Sequence, residues 1–362
     1  MKAMDAKEYL KEYKKRLDPI LKEYFKEKIS KARKTDPLAG QAVKMISDFT
    51  LASGKRIRPA LMYYAFKSAN QEEGGEEEII KASMSVELTH SFLLIHDDII
   101  DRDEKRHGVN TVHKNYRNMA KKYFPNAESE HFGNSMAMIV GDIAASMSNE
   151  ILFESNFPEK RILESLTQLQ KIVYKTIPGE MLDVVMEARG KTTEEEILRM
   201  HEGKTANYTF EGPLFLGATL GGESSPDFFK NASDYSMAVG KAFQIRDDVL
   251  GVFGDEKKLG KPVGSDIIEG KQTLLYIKAK EKASNSQKTK LNKIFGKKDL
   301  SRKELEEFQK IIKETGSLEY SEKLADKFSE QALKSLEKTK ISNQECYDFL
   351  KQIAIYISKR EY

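Results

Sequence analysis

The sequence predicts an all-α protein, a single domain over residues 1–362 packed as one large helical bundle of about a dozen helices. Three observations carry that prediction. Leu, Ile, Ala, Met, Lys and Glu dominate the composition, and 362 residues contain only 9 Pro and 22 Gly. Apolar residues recur at helical spacing through most of the chain. Strand-like alternation bounded by turn pairs is scarce.

Taken in order, the first helix is expected over 3–33, ending before Asp36-Pro37. Residues 1–35 hold 12 Lys and Arg against 6 Asp and Glu, the balance of a solvated amphipathic helix. Another helix starts at Gly54-Lys55-Arg56-Ile57-Arg58-Pro59. In 79–101, Ile80, Met84, Leu88, Ser91 and Ile95 trace one helix face. Similar patterns cover 161–177, 194–210, 234–254, 303–315 and 318–338. Breaks fall at Gly74-Gly75, Phe157-Pro158, Gly221-Gly222 and from Gly260 to Gly270, and none is long enough to be a linker. The Lys-rich stretch 282–310 reads as a surface helix-loop segment.

Charge narrows the function classes. Sixty basic and 57 acidic residues nearly cancel, and a net +3 is no footprint for nucleic acid. The one cysteine, Cys346, leaves no internal disulfide or cysteine metal cluster and fits a reducing, cytoplasmic setting. No uncharged apolar run reaches the ~18 residues of a membrane span, and Met1 to Glu8 has no apolar signal core.

The chemistry concentrates at Asp97-Asp98-Ile99-Ile100-Asp101. On a helix Asp97 and Asp101 share a face, with Cβ atoms about 5–6 Å apart. Like charges this close call for a cation, and hard oxygen ligands suit Mg²⁺, which is usually shared with substrate phosphates. A second acidic pair, Asp247-Asp248, again ends an apolar helical run. Two facing helices that deliver carboxylates to one cavity are a known way to build a metal site in a bundle. Basic residues beside glycines accompany them: Lys55 to Arg58, Arg106 with His107 and Gly108, Gly203-Lys204-Thr205, Gly260-Lys261 and Gly270-Lys271. At such positions the backbone can approach an oxyanion, with Arg suited to bidentate phosphate contacts and Lys acting as a point charge. Gly203-Lys204-Thr205 is no P-loop, because the upstream glycine and strand are missing.

These blocks resemble the trans-isoprenyl diphosphate synthases, the polyprenyl synthetase family, from about Leu51 to Thr273. The resemblance rests on Gly54 to Pro59, on Glu87-Leu88-Thr89-His90 leading into Asp97 to Asp101, and on Arg106-His107-Gly108. It continues through Thr111-Val112-His113, Gly141-Asp142, Gly179 to Asp183, Lys204-Thr205, and Gln244 to Asp255. It implies an all-α fold around a central cavity, a homodimer, and Mg²⁺-dependent chain elongation. Asp97, Asp98 and Asp101 would bind Mg²⁺ and the allylic diphosphate, with Asp247 and Asp248 holding metal on the opposite wall. Arg106, Lys204, Gln244 and Lys261 would contact the allylic diphosphate, with Lys271 near them. Lys55, Arg58 and His90 would bind isopentenyl diphosphate, and Thr205 would position the reacting carbon. The allylic partners are dimethylallyl, geranyl and farnesyl diphosphate.

Two departures stand out. The family carries a second arginine where this chain has His107, a poorer diphosphate partner until it is protonated. Residues 118–132 resemble a polar insertion forming a surface loop. Product length in the family is set by bulky residues four and five positions before the first aspartate, here Leu93 and Phe92. Helix geometry puts Leu93 about 40° from Asp97 and Phe92 about 140° away, so only the resemblance places Phe92 in the channel. One aromatic there resembles the geranylgeranyl diphosphate synthases. A farnesyl or bifunctional farnesyl/geranylgeranyl synthase is the alternative. A terpene cyclase would lack Lys55, Arg58 and Lys261, and a regulatory subunit would have lost an aspartate motif.

Overall fold

A computed structural model describes residues 4–52, 54–70, 74–106, 108–255 and 263–359. His107 and Lys261, both expected site residues, lie outside the described residues. The chain forms two compact units, Met1–Gln168 with Pro213–Glu223, and Leu169–Gly212 with Ser224–Tyr362.

The first unit begins with α1 (Ala6–Thr35), capped by Asp5, whose side chain accepts from the Glu8 N–H while Glu8 returns the bond. Pro19 lies inside α1, yet the helix continues. A mid-helix proline costs about 3 kcal/mol. Leu17, Leu21 and Phe25, each at most 1% exposed on one face, return about 1.5–3 kcal/mol apiece. Next come α2 (Pro37–Ala52), α3 (Ile57–Ala69) and α4 (Glu76–Ile100). A two-residue hairpin follows, β1 (Lys105–Arg106) paired antiparallel with β2 (Val109–Asn110), then α5 (Val112–Tyr123) and α6 (Ser129–Phe153).

α4 is the buried axis of this unit. The sequence showed one apolar face, but residues 79–80 and 82–89 are buried on nearly every side. Several of the hidden hydroxyls are matched: Thr89 bonds Ser148 of α6 at 2.7 Å, and the Ser148 hydroxyl donates to the Ser85 carbonyl at 2.8 Å. α6 is long and apolar enough by composition to cross a membrane. Here it packs against α4, α5 and α2 with Gly133, Ala137, Val140, Gly141 and Ala144 buried. The expected loop at 118–132 is mostly helix, since α5 runs to Tyr123 and α6 starts at Ser129, leaving 124–128 as the connection. The polar residues that looked like loop form the solvent side of a strongly amphipathic helix.

α7 (Glu159–Arg189) runs well past its expected end at 177, through Pro178 and Gly179. α8 (Glu194–His201) leads into a π-helical segment, Glu202–Glu211, and then α9 (Gly212–Leu220). α9 belongs to the first unit and packs backbone to backbone on α3: a Cβ on Gly217 would stand 2.0 Å from the Met62 carbonyl oxygen. In the second unit α10 (Pro226–Phe253) is the axis. Around it lie α11 (Ser265–Glu269), α12 (Leu274–Lys282), α13 (Asn285–Ile294), α14 (Arg302–Glu314), α15 (Ser317–Lys338) and α16 (Gln344–Ser358). α10 packs on α15, α16 and the π segment, and the buried Tyr235 hydroxyl donates to the Leu350 carbonyl at 2.8 Å.

Candidate active site

In the first unit, α4 ends among its own carboxylates. Asp101 is the C-cap, its N–H bonded to the Asp97 carbonyl at 2.8 Å. Arg102 then turns left-handed (φ 58°), its N–H reaching the Ile99 carbonyl while the Asp103 N–H reaches that of Asp98. This is a Schellman stop with arginine where glycine is usual. A non-glycine residue there costs about 1–2 kcal/mol. The hairpin then folds Arg106 back onto the helix end. Its Nη2 lies 3.0 Å from Asp97 and 3.3 Å from Asp103, and its Nε bonds Asp98.

Asp98 is fully buried and Arg106 is largely covered. Burial pushes the Asp98 carboxyl up to about 7, against the pull of Arg106. The three carboxylates hold the Arg106 proton more tightly than usual, outweighing the cost of burying that charge. Asp98 Oδ2 is buried with no hydrogen-bond partner, a hard acceptor that fits a cation. The same unit carries Lys55, exposed, and Arg58 and His90, both half-buried. Phe92 and Leu93 are also half-buried. Phe92 meets His96 edge-on, with ring centroids 5.0 Å apart, and His96 bonds the Met138 carbonyl of α6 at 3.1 Å. Gly141 makes that approach possible, because a Cβ there would stand 2.3 Å from His96 Nε2.

In the second unit the π segment delivers Lys204 and Thr205. Its wide turn is marked by the Gly212 N–H, which bonds the carbonyl of Asn207 five residues back. Lys204 Nζ sits 2.8 Å from Asp183 and 2.9 Å from Glu180, both on α7. Gly203 was expected to admit an oxyanion. Its place in the fold is instead a helix contact, where a Cβ would stand 2.8 Å from the Gly179 Cα. This contact also explains why a Pro-Gly pair is carried inside α7.

Thr205, Gln244 and Asp248 form a chain. The Thr205 hydroxyl donates to Gln244 Oε1 at 2.6 Å, and Gln244 Nε2 donates to Asp248 Oδ1 at 3.0 Å. The Gln244 amide orientation follows from that network. His201, fully buried, places Nε2 at 3.5 Å from Asp248 Oδ2. Burial raises the Asp248 carboxyl above its ordinary range, with His201 opposing. Asp247 is half-buried beside it. Lys271 follows the left-handed Gly270 (φ 77°) and lies 3.1 Å from Glu269.

Among the described residues, no group of three or more carboxylate, imidazole or thiol side chains converges to cage an ion. Sequence reasoning gave no role to Glu180, Asp183 or His201. The Gly179 to Asp183 block was the available signal for the first two. His201 gave none beyond being one of six histidines.

Helical units carrying aspartates held by arginine or amide side chains belong to an all-α class of protein. The match to the polyprenyl synthetase family model covers residues 41–312, and the chain belongs to that family. It is 34% identical over 315 residues to a geranylgeranyl diphosphate synthase of Saccharolobus solfataricus, covering 85% of this chain and 87% of the relative. It is 35% identical over 311 residues to that of Methanosarcina mazei, covering 86% and 87%. A crystal structure of geranylgeranyl pyrophosphate synthase from Corynebacterium glutamicum, complexed with isoprenyl diphosphate and magnesium, superposes with a TM-score of 0.89 at 30% identity. That match covers 99% of this chain and 100% of the other.

Proposed function

We propose that this prenyltransferase condenses isopentenyl diphosphate with an allylic diphosphate to make geranylgeranyl diphosphate. The observation that supports the reading is the buried Asp98–Arg106 pair at the end of α4, beside Asp97 and Asp101. Its relatives named as geranylgeranyl synthases point to the product.

In this reading Asp97, Asp98, Asp101, Asp247 and Asp248 hold Mg²⁺, which when bound neutralises charge on the departing diphosphate. Arg106 and Lys204 add fixed positive charge where negative charge develops. Gln244 is held by Thr205 and Asp248, so both Thr205 and Gln244 present oxygen lone pairs to an allylic cation at fixed positions. Lys55, Arg58 and His90 bind isopentenyl diphosphate, while Lys261, with Lys271 near it, joins Arg106, Lys204 and Gln244 on the allylic diphosphate. Proton loss from the condensed product goes to the released pyrophosphate, as no described side chain is placed as a dedicated base.

The same proposal includes a homodimer. The α7 stripe Tyr174, Ile177, Met181, Val184 and Val185 is 43–78% exposed and apolar, a face that a second copy would cover. The test incubates the purified chain with Mg²⁺, isopentenyl diphosphate and each of dimethylallyl, geranyl and farnesyl diphosphate. Geranylgeranyl diphosphate is the expected longest product. No consumption of isopentenyl diphosphate with any starter would refute the reading, and farnesyl diphosphate as end product would favour the shorter-chain alternative.

A further inference from the structure

The block from Gly54 to Pro59 is built around the one basic residue to which the proposed reaction gives no part. Arg56 is the N-cap of α3 and sits in the left-handed region (φ 54°, ψ 38°), where a non-glycine side chain is strained. It is only 3% exposed, while its neighbour Lys55 is exposed. Its guanidinium is held from three sides. Nε donates to Asp18 of α1 at 3.0 Å, and Nη1 donates to the Thr50 carbonyl of α2 at 2.9 Å and to Glu87 of α4. Lys14 of α1 adds a bond to the Gly54 carbonyl at 2.9 Å. Gly54 itself leaves room for the pair, since a Cβ there would stand 2.9 Å from Arg56 Nη1 and 3.6 Å from Glu87 Oε1.

Glu87 lies three residues before His90 on α4, and Arg56 lies between Lys55 and Arg58. The ion pair therefore ties the start of α3, where Lys55 precedes the cap and Arg58 lies in the first turn, to the α4 turn carrying His90. The left-handed backbone at Arg56 turns its own side chain inward and leaves Lys55 outward. We propose that Arg56 is a positioning residue for isopentenyl diphosphate: its buried pairs to Asp18 and Glu87 set the spacing of Lys55, Arg58 and His90. The inference rests on the reading of those three residues given above. It gives α1, which carries no recognisable motif, a part in substrate selectivity. Lysine is a poor replacement for Arg56, because its compact ammonium lacks the fixed fork by which Nε and Nη1 reach Asp18, Thr50 and Glu87 together.

The test measures KM for each substrate in R56K and in the milder D18N, with K55A as a control and thermal midpoints for all. Displacing a binding group costs catalysis without removing it. KM for isopentenyl diphosphate is expected to rise about tenfold in R56K and D18N, with KM for farnesyl diphosphate unchanged. D18N keeps Arg56 and Glu87, so it is the variant expected to fold as the native chain does. A rise in both KM values together, or no rise in a folded D18N and R56K while K55A does raise KM, overturns the positioning role alone. If K55A leaves KM for isopentenyl diphosphate unchanged, the reading of the loop fails and the proposal falls with it.

Discussion

Arg106 and Lys204 are both cations held among carboxylates, and in each case those carboxylates belong to the same unit as the cation. Under the proposed function, a diphosphate that takes either cation would compete with these carboxylates, which would then be available to hold Mg²⁺. Under the proposed function, Lys204→Ala is expected to lower kcat about 10²–10³-fold, the usual scale for one lost electrostatic stabiliser, measured by steady-state turnover. Phe92→Ala is expected to lengthen the product, since the edge-on pair with His96 is lost and the half-buried site opens. Chromatography of the prenyl chains would show it, and an unchanged profile would remove Phe92 from length control. The aspartates and lysines were legible because their types and spacing carry chemistry. The partners of Lys204 and Asp248 were not, because contacts between residues on different helices depend on how those helices pack.

At the scale of elements, the sequence exposed amphipathic helices best and continuous ones worst. α14 and α15 were located to within a residue or two because each keeps an apolar stripe against water. α7 was cut short at Pro178 because local propensity knows nothing of the Gly179–Gly203 contact that repays the interruption. The π geometry of 202–211 left no mark, since its apolar spacing still reads as helical. The helix before it is fastened by a capping box at Thr193, with Glu196 also bound to Arg189 at 2.7 Å. Those bonds hold the Glu196 carboxyl down to about 2. A depressed carboxyl contributes stability above its ordinary value and loses it as pH falls through the folded value. Glu196→Gln is therefore expected to lower the thermal midpoint at pH 6, with the gap to the native chain closing between pH 4.5 and about 2. A constant gap across that range would mean that charge is not the source.

For the whole molecule, the all-α class was legible from composition and period alone, as was the family from its motif blocks. Self-association is the property most easily checked. The proposed dimer should sediment at about twice the 41.3 kDa of one chain, and Tyr174→Glu should shift it toward the single-chain mass by placing a charge on the α7 stripe. A single-chain mass for the native protein would show that the stripe serves another purpose. The path of the chain has a further consequence. Residues 213–223 return to the first unit after the second has begun, and there α9 lies against α3 too closely for any side chain at Gly217. Neither unit can therefore be inherited, swapped or expressed as one uninterrupted piece of gene. A cut after Gln168 would strip α3 of the backbone contact that Gly217 makes at Met62, so recombination among relatives is expected to preserve whole chains rather than halves.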